Sequence, residues 1–400
     1  MLRLRWVAVV IFVFSAVLNY LDRQVLATMV DIWRARPEFP FDYARYGELL
    51  AAFSVAYALS APVMGWFLDR VGLTRGICIS VAVWAAASFG TATVHSFTEL
   101  LWWRVLLGAA EASGVSAMGK VSGGYLPAEE RALGAATQQL GLSFGAGLAP
   151  RFTVYLAYRY SWRWVFAGAG ALSLAWIPVW ILTERLIPPA VQPATERGAA
   201  GVGRELVRDP RLWSLMAANA LGMTVYSLWT NWAPTYLIRT YHLTPPEAAQ
   251  YTWIIPFSAY AGAFAGGSLS FFWIRRGVDA VRARRRACVV SAAAAVITAA
   301  LPWVPTPALA TAGISASFFL VTAWSTNLYT IPVDLYGAAR AAFGVSGLVF
   351  AYGAMQAIVS RPLGVVIQRF GFTPVTLTMS CLPLLSCALL FVGRDDAAGA

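Results

Sequence analysis

Apolar residues in this chain fall into long runs broken by short stretches rich in glycine, proline and arginine. The runs cover approximately 6–30, 46–67, 76–95, 99–120, 131–157 and 162–184, then 211–238, 248–274, 287–304, 308–332, 341–363 and 372–393. A helix needs about twenty apolar residues to cross a bilayer. In lipid the backbone must satisfy its own hydrogen bonds, so helices are the expected form. The pattern therefore predicts an all-α membrane protein with twelve transmembrane helices. These spans use nearly all of the 400 residues and leave no room for a soluble catalytic domain. Arg3 and Arg5 before an apolar run imitate a signal peptide. However, the run continues through Asn19, Asp22 and Arg23 to about Val30 without a small-residue cleavage site, so it is expected to stay as the first helix.

The spans divide into two sets of six. Residues 185–210 carry Pro188, Pro189, Pro193 and a Gly-Ala-Ala-Gly string, which is loop composition. The expected domains are a first six-helix bundle at 1–184, a cytoplasmic inter-bundle loop at 185–210 and a second bundle at 211–400. Each half has a short basic loop after its second span, so the bundles are expected to be pseudo-symmetric. Parallel six-helix repeats with a solute site at their interface describe one common transporter plan. With both termini in the cytoplasm, eighteen loop arginines fall on the cytoplasmic side and seven on the other, and cytoplasmic loops are normally the basic ones.

Composition agrees with lipid as the main solvent. Hydrophobic residues make up 59%, charged residues 12%, and mean hydropathy is +0.62, against roughly a quarter charged in soluble chains. The net charge of +11 would suit nucleic acid, but the basic residues are scattered through short connections, which excludes that partner and reads as topology. Cys78, Cys288, Cys381 and Cys387 lie in or at the ends of apolar runs with no metal or disulfide spacing. His95 and His242 sit near loops with no nucleophile–base arrangement. The expectation is no enzyme, no cofactor and no metal.

Ionisable groups inside a bilayer are expensive and need a partner or a function. Asp22, Arg23, Arg104 and Glu111 qualify, all in the first half. Arg104 and Glu111 are seven residues apart and share one face of a helix. Arg23 either neutralises Asp22 beside it or holds a substrate carboxylate with its bidentate fork. Glu111 is either a static partner of Arg104 or a coupling site. Burial and a neighbouring arginine pull a carboxyl's proton affinity in opposite directions, so such a site can load and release a proton near neutral pH. Tyr57, Gln138 or Gln139, Trp324, Ser325, Asn327, Tyr352 and Gln356 are candidates to bind hydroxyl groups. Arg151 and Arg361 occupy equivalent places in the two halves, next to prolines near the outer ends of their spans. They either draw anions to the outer mouth or simply snorkel to headgroups.

The loop Gly65-Trp-Phe-Leu-Asp69-Arg70-Val-Gly72-Leu-Thr-Arg75 resembles the signature loop of the major facilitator superfamily, where it latches the two halves. The second-half copy departs from it, with Phe271 where an acid is expected. Asn19-Tyr20-Leu21-Asp22-Arg23, Arg104 to Glu111, Tyr160-Ser161-Trp162-Arg163-Trp164 and Trp324-Ser325-Thr326-Asn327-Leu328 together resemble the anion:cation symporter family. Its members include hexuronate and aldonate transporters. That resemblance implies the major facilitator fold, Arg23 on the substrate carboxylate and Glu111 as a protonation site with Arg104 as counter-charge. Asp22 is a second proton candidate. Asn219 stands where sugar-acid carriers often have arginine.

The expected function is proton-coupled uptake of a small organic anion such as a sugar acid, with Na⁺ as the alternative ion. The setting is a bacterial inner membrane, and a lipid-embedded monomer suffices. The competing readings are a major-facilitator exporter or carrier of monocarboxylates or drugs and, from a different class, a solute sensor.

Overall fold

A computed structural model describes residues 2–35, 40–127, 130–189 and 206–391. Four of the loop arginines, Arg36, Arg197, Arg204 and Arg394, lie outside the described residues, as does most of the predicted inter-bundle loop.

The first half folds as α1 (Leu2–Arg34), α2 (Tyr43–Val71), α3 (Leu73–Ala92), α4 (Phe97–Glu111), α5 (Ser113–Tyr125), α6 (Arg131–Arg159) and α7 (Trp162–Leu186). The second half folds as α8 (Pro210–Gly222), α9 (Thr224–Tyr241), α10 (Pro245–Thr252), α11 (Ile255–Ile274), α12 (Ala280–Ala295), α13 (Pro307–Tyr336), α14 (Ala338–Phe370) and α15 (Thr373–Leu389). A 3₁₀ turn at Val296–Trp303 prolongs α12. Each predicted span corresponds to a helix or to a consecutive pair. The fourth span is interrupted at Ala112, the seventh at Met223 and the eighth near Trp253.

Local chemistry marks the helix ends. Asp42, Ser161, Asp209, Asp279 and Thr306 each accept a backbone N–H at the start of a helix, which satisfies a donor that has no intrahelical partner. Thr244 and Glu247 cap each other reciprocally at α10. Gly72 closes α2 at φ 91°, donating to Leu68 O at 3.1 Å, and so lets α3 start at once.

The described chain forms two compact units. Among the described residues, the first holds those up to 189 together with 234–257 and 359–368, and the second holds 206–233, 258–358 and 369–391. Two pieces of the second half of the sequence, the far end of α9 through α10 and the later part of α14, therefore pack with the first half.

In the first unit, Phe12 meets Trp176 and Trp180 edge-on, with centroids at 6.0 and 5.1 Å, and the two indoles stack on each other. Trp176 Nε1 donates to Ile11 O at 2.8 Å, so this apolar core also holds a polar tie. Because lipid supplies little drive for helices to associate, close approach depends on small residues. A Cβ on Gly145 of α6 would collide with the Val17 carbonyl of α1. In the second unit a Cβ on Gly266 of α11 would collide with the backbone of Ala323 in α13.

Candidate functional site

Arg23 lies two thirds of the way along α1, where a bare guanidinium would be costly. Three rings surround it. Tyr20 is one turn earlier on the same helix face and lies 5.0 Å from the guanidinium carbon. Phe53 and Tyr57, one turn apart on α2, lie at 4.7 and 5.0 Å. Each such contact stabilises a cation by about 0.5–2 kcal/mol, more where water is scarce. The rings also fix the plane in which the fork points.

The carboxylate that meets Arg23 is Glu111, the last residue of α4. Arg23 Nη2 and Nε donate to Glu111 Oε2 at 3.1 and 3.3 Å, and Glu111 Oε1 has no hydrogen-bond partner. The glutamate side chain is wholly buried, whereas 23% of the arginine side chain stays exposed. The arginine is thus the accessible member of the pair.

Asp22 points away from Arg23 despite being its neighbour. Ser88 of α3 donates to Asp22 Oδ2, and Oδ1 lacks a partner. Arg104 is almost fully buried over the Phe53 ring at 5.4 Å, and its Nε is unsatisfied. Its charge faces Asp22, Glu111, Tyr46 and Arg23. Neither pairing suggested by sequence spacing, Arg23 with Asp22 or Arg104 with Glu111, is the ion pair that forms. Seven residues on one helix separate Arg104 and Glu111 by roughly 10 Å along its axis, and Arg23 reaches the glutamate from α1 instead. The structure therefore gathers Asp22, Arg23, Arg104 and Glu111 into one buried cluster with two acids and two bases. Among the described residues, three carboxylate or guanidinium atoms of the cluster find no partner: Asp22 Oδ1, Glu111 Oε1 and Arg104 Nε.

The remaining predicted residues divide. Tyr57 belongs to the ring set around Arg23, and Gln138 is half-buried on α6. Trp324 is fully enclosed against Gly222, and Asn327 donates to the carbonyls of Gly266 and Ala323 at 2.8 and 2.9 Å. Both thus join helices of the second unit. Ser325, part-buried, donates to Thr322 O. In the same unit Tyr226 stacks on Phe318 at 4.8 Å and meets Tyr352 at 6.3 Å, while Gln356 Nε2 donates to Ser227 Oγ at 3.0 Å. Asn219 is fully buried and donates to Tyr329 Oη and Leu348 O, a helix-packing role that accounts for a neutral side chain.

In the loop that resembles the superfamily signature, Asp69 pairs with Lys120 of α5, the single lysine of the chain, and Arg70 lies over the Trp66 ring at 5.3 Å. Gly65 has only Ser116 Oγ near its open face, and Arg75 is exposed. Of the two arginines expected at the outer mouth, Arg361 Nε donates to Glu48 Oε1 at 2.7 Å, and Arg151 lies over the Trp253 ring at 4.5 Å. Sequence reasoning missed Tyr20, Phe53, Ser88, Lys120 and Glu48 as partners. It also missed Asp31, a buried acid in the last turn of α1. Extending the first span by one turn would have included it.

The chain is 25% identical over 409 residues to the hexuronate transporter of Escherichia coli strain K12, covering 97% of this chain and 93% of that one. It is 24% identical to the D-galactonate transporter of Escherichia coli O6:H1, covering 99% and 97%. Among solved structures, a bacterial homologue of the human lysosomal transporter Spinster superposes with a TM-score of 0.75 at 18% identity, over 97% of this chain and 95% of that one. That likeness is one of fold. The Major Facilitator Superfamily profile matches residues 12–349. The chain therefore belongs to the major facilitator superfamily, as a multi-pass membrane transporter and not an enzyme.

Proposed function

We propose that the protein takes up a sugar acid, of the hexuronate or aldonate class, together with a proton, across a bacterial inner membrane. The observation that carries this reading is the Arg23–Glu111 pair: an accessible guanidinium, oriented by three rings, neutralised by a wholly buried carboxylate. With Glu111 ionised, its charge occupies the fork that a substrate carboxylate needs. When Glu111 takes a proton, Arg23 is released to bind an anion through two parallel hydrogen bonds. Proton and anion then favour the same state of the protein, which is the thermodynamic condition for symport. Asp22, with one oxygen unpartnered beside Arg104, is a second group able to hold a proton.

Sugar acids carry a carboxylate at one end and several hydroxyls behind it. Arg23 suits the first, and Tyr57 and Gln138 of the same unit suit the others. Curated relatives named as hexuronate and D-galactonate transporters support this class. The arginine bias of the loops supports an orientation with both termini in the cytoplasm. The end where α1 finishes and α2 begins then faces outward.

Thermal stabilisation of the purified protein tests the substrate class. The panel holds hexuronates, aldonates, simple mono- and dicarboxylates and neutral sugars, with native protein and Arg23→Ala compared, because a ligand that binds only the folded state raises its melting temperature. The expected result is a rise with sugar acids that disappears in Arg23→Ala. A rise that persists in the variant, or one caused only by neutral or cationic compounds, removes the anion reading.

A further inference from the structure

Asp31 has no part in the cluster just described. It lies eight residues beyond Arg23, roughly 12 Å further along α1, with only 8% of its surface exposed. Both of its oxygens are occupied by separate helices. Tyr43 Oη, at the start of α2, donates to Oδ1 at 2.9 Å; Thr235 Oγ1, on α9, donates to Oδ2 at 2.7 Å. Two arginines close over the same place. Arg34 lies 3.7 Å from Oδ1 and 4.0 Å from the Tyr43 ring. Arg239 lies 5.4 Å from that ring and donates to Ile367 O of α14.

A second set of contacts runs alongside. Arg361 of α14 binds Glu48 of α2 at 2.7 Å. The backbones beneath them nearly touch, because a Cβ on Gly47 would collide with the Ser360 carbonyl and one on Gly364 with the Tyr43 carbonyl. The ends of α1 and α2 are thus tied to α9 and α14 by directional polar bonds over glycine contacts. This differs from the interlocked tryptophans deeper in the unit. Such bonds can be exchanged for water without opening a void in a core, so this end is built to come apart.

We infer that Asp31 closes the outer gate of the transporter, with Thr235 leaving Asp31 and Arg361 leaving Glu48 each time the path opens outward. The inference rests on the transport reading and on its orientation. Losing one hydrogen bond to a charged group shifts a two-state equilibrium by about tenfold. Brief opening exposes a buried thiol in proportion to the open population.

The test uses a background with Cys78, Cys288, Cys381 and Cys387 replaced by alanine and Ser360→Cys as reporter, since Ser360 is 3% exposed on the α14 side of the gate. A membrane-impermeant maleimide is applied from outside. Asp31→Ala and the isosteric Thr235→Val should each speed labelling about tenfold, and Arg361→Gln should do so as well. Unchanged labelling in folded Asp31→Ala and Thr235→Val protein overturns the gate. Faster labelling in a protein that no sugar acid stabilises leaves the gate standing and removes only the substrate. Should Asp31→Ala fail to fold, Thr235→Val alone decides, since it removes a single hydroxyl.

Discussion

Replacing Arg23 with lysine keeps the charge but removes the fork. An ammonium is a compact, strongly hydrated point charge, and it neither stacks flat between Tyr20, Phe53 and Tyr57 nor offers two parallel donors to a carboxylate. Losing one charge-assisted hydrogen bond costs about 1.5–3 kcal/mol, so Arg23→Lys is expected to weaken sugar-acid binding roughly ten- to a hundredfold. Titration calorimetry on the purified variant checks this, and native affinity in Arg23→Lys would show that charge alone holds the ligand. The four charged residues of this cluster were legible in the sequence, because ionisable groups stand out inside apolar runs. Their pairing was not. Which arginine meets Glu111 depends on how α1 is rotated against α4, and spacing along one helix carries no information about that rotation. Asp31 escaped notice for a simpler reason: the hydropathy of the first span fades at Val30, whereas α1 continues to Arg34. Phe53 and Tyr20 were hidden among twenty-two phenylalanines and sixteen tyrosines, most of which meet lipid or core with equal ease.

At the level of whole helices, Gly266 and Gly267 on α11 form a controlled pair. A methyl on Gly266 meets the Ala323 backbone, and it would also push away the carbonyl that accepts from Asn327. A methyl on Gly267 meets nothing within 4 Å. In a helix interior alanine is favoured over glycine by up to about 1 kcal/mol, whereas overpacking costs about 1–3 kcal/mol. Gly267→Ala should therefore leave the melting temperature in detergent unchanged or raised, and Gly266→Ala should lower it. Equal effects from the two would mean that α11 and α13 are not held by this contact. The helices themselves were readable, since twelve apolar runs of adequate length permit little else in lipid. Their interruptions were less so. Met223 is an apolar residue inside an apolar run, marked only by Gly222 before it. The break near Trp253 has a local cause in Pro256, which cannot donate to the Thr252 carbonyl and crowds it. The break at Ala112 is silent in hydropathy, yet it makes Glu111 the terminal residue of α4. Capping residues, which the hydropathy pattern ignores, mark the boundaries better: Asp42, Ser161, Asp209, Asp279 and Thr306 all stand at helix starts and are typical N-cap types.

For the molecule as a whole the property at stake is the proposed coupling, which would rest on one pair of side chains, Arg23 and Glu111. If Glu111 and the substrate compete for Arg23, each proton taken up by Glu111 improves anion binding, and each anion bound improves proton uptake by the same factor. Native protein should then bind sugar acids more tightly as pH falls. Coupling free energies of about 1–3 kcal/mol correspond to roughly five- to 150-fold in affinity. Glu111→Gln removes the competing charge at every pH and keeps the shape. Its affinity should be high and flat with pH, and in proteoliposomes it should exchange labelled for unlabelled substrate across the membrane. It should fail to accumulate substrate against a gradient when only a pH difference is imposed, because no proton accompanies the anion. The gate at Asp31 lies apart from this exchange of partners, so Thr235→Val should retain the pH dependence of binding that Glu111→Gln loses. If Glu111→Gln still accumulates substrate on a pH gradient, Asp22 carries the proton and Glu111 only holds Arg23 in place. If an inward sodium gradient drives accumulation and a pH gradient does not, the same pair serves a sodium symporter.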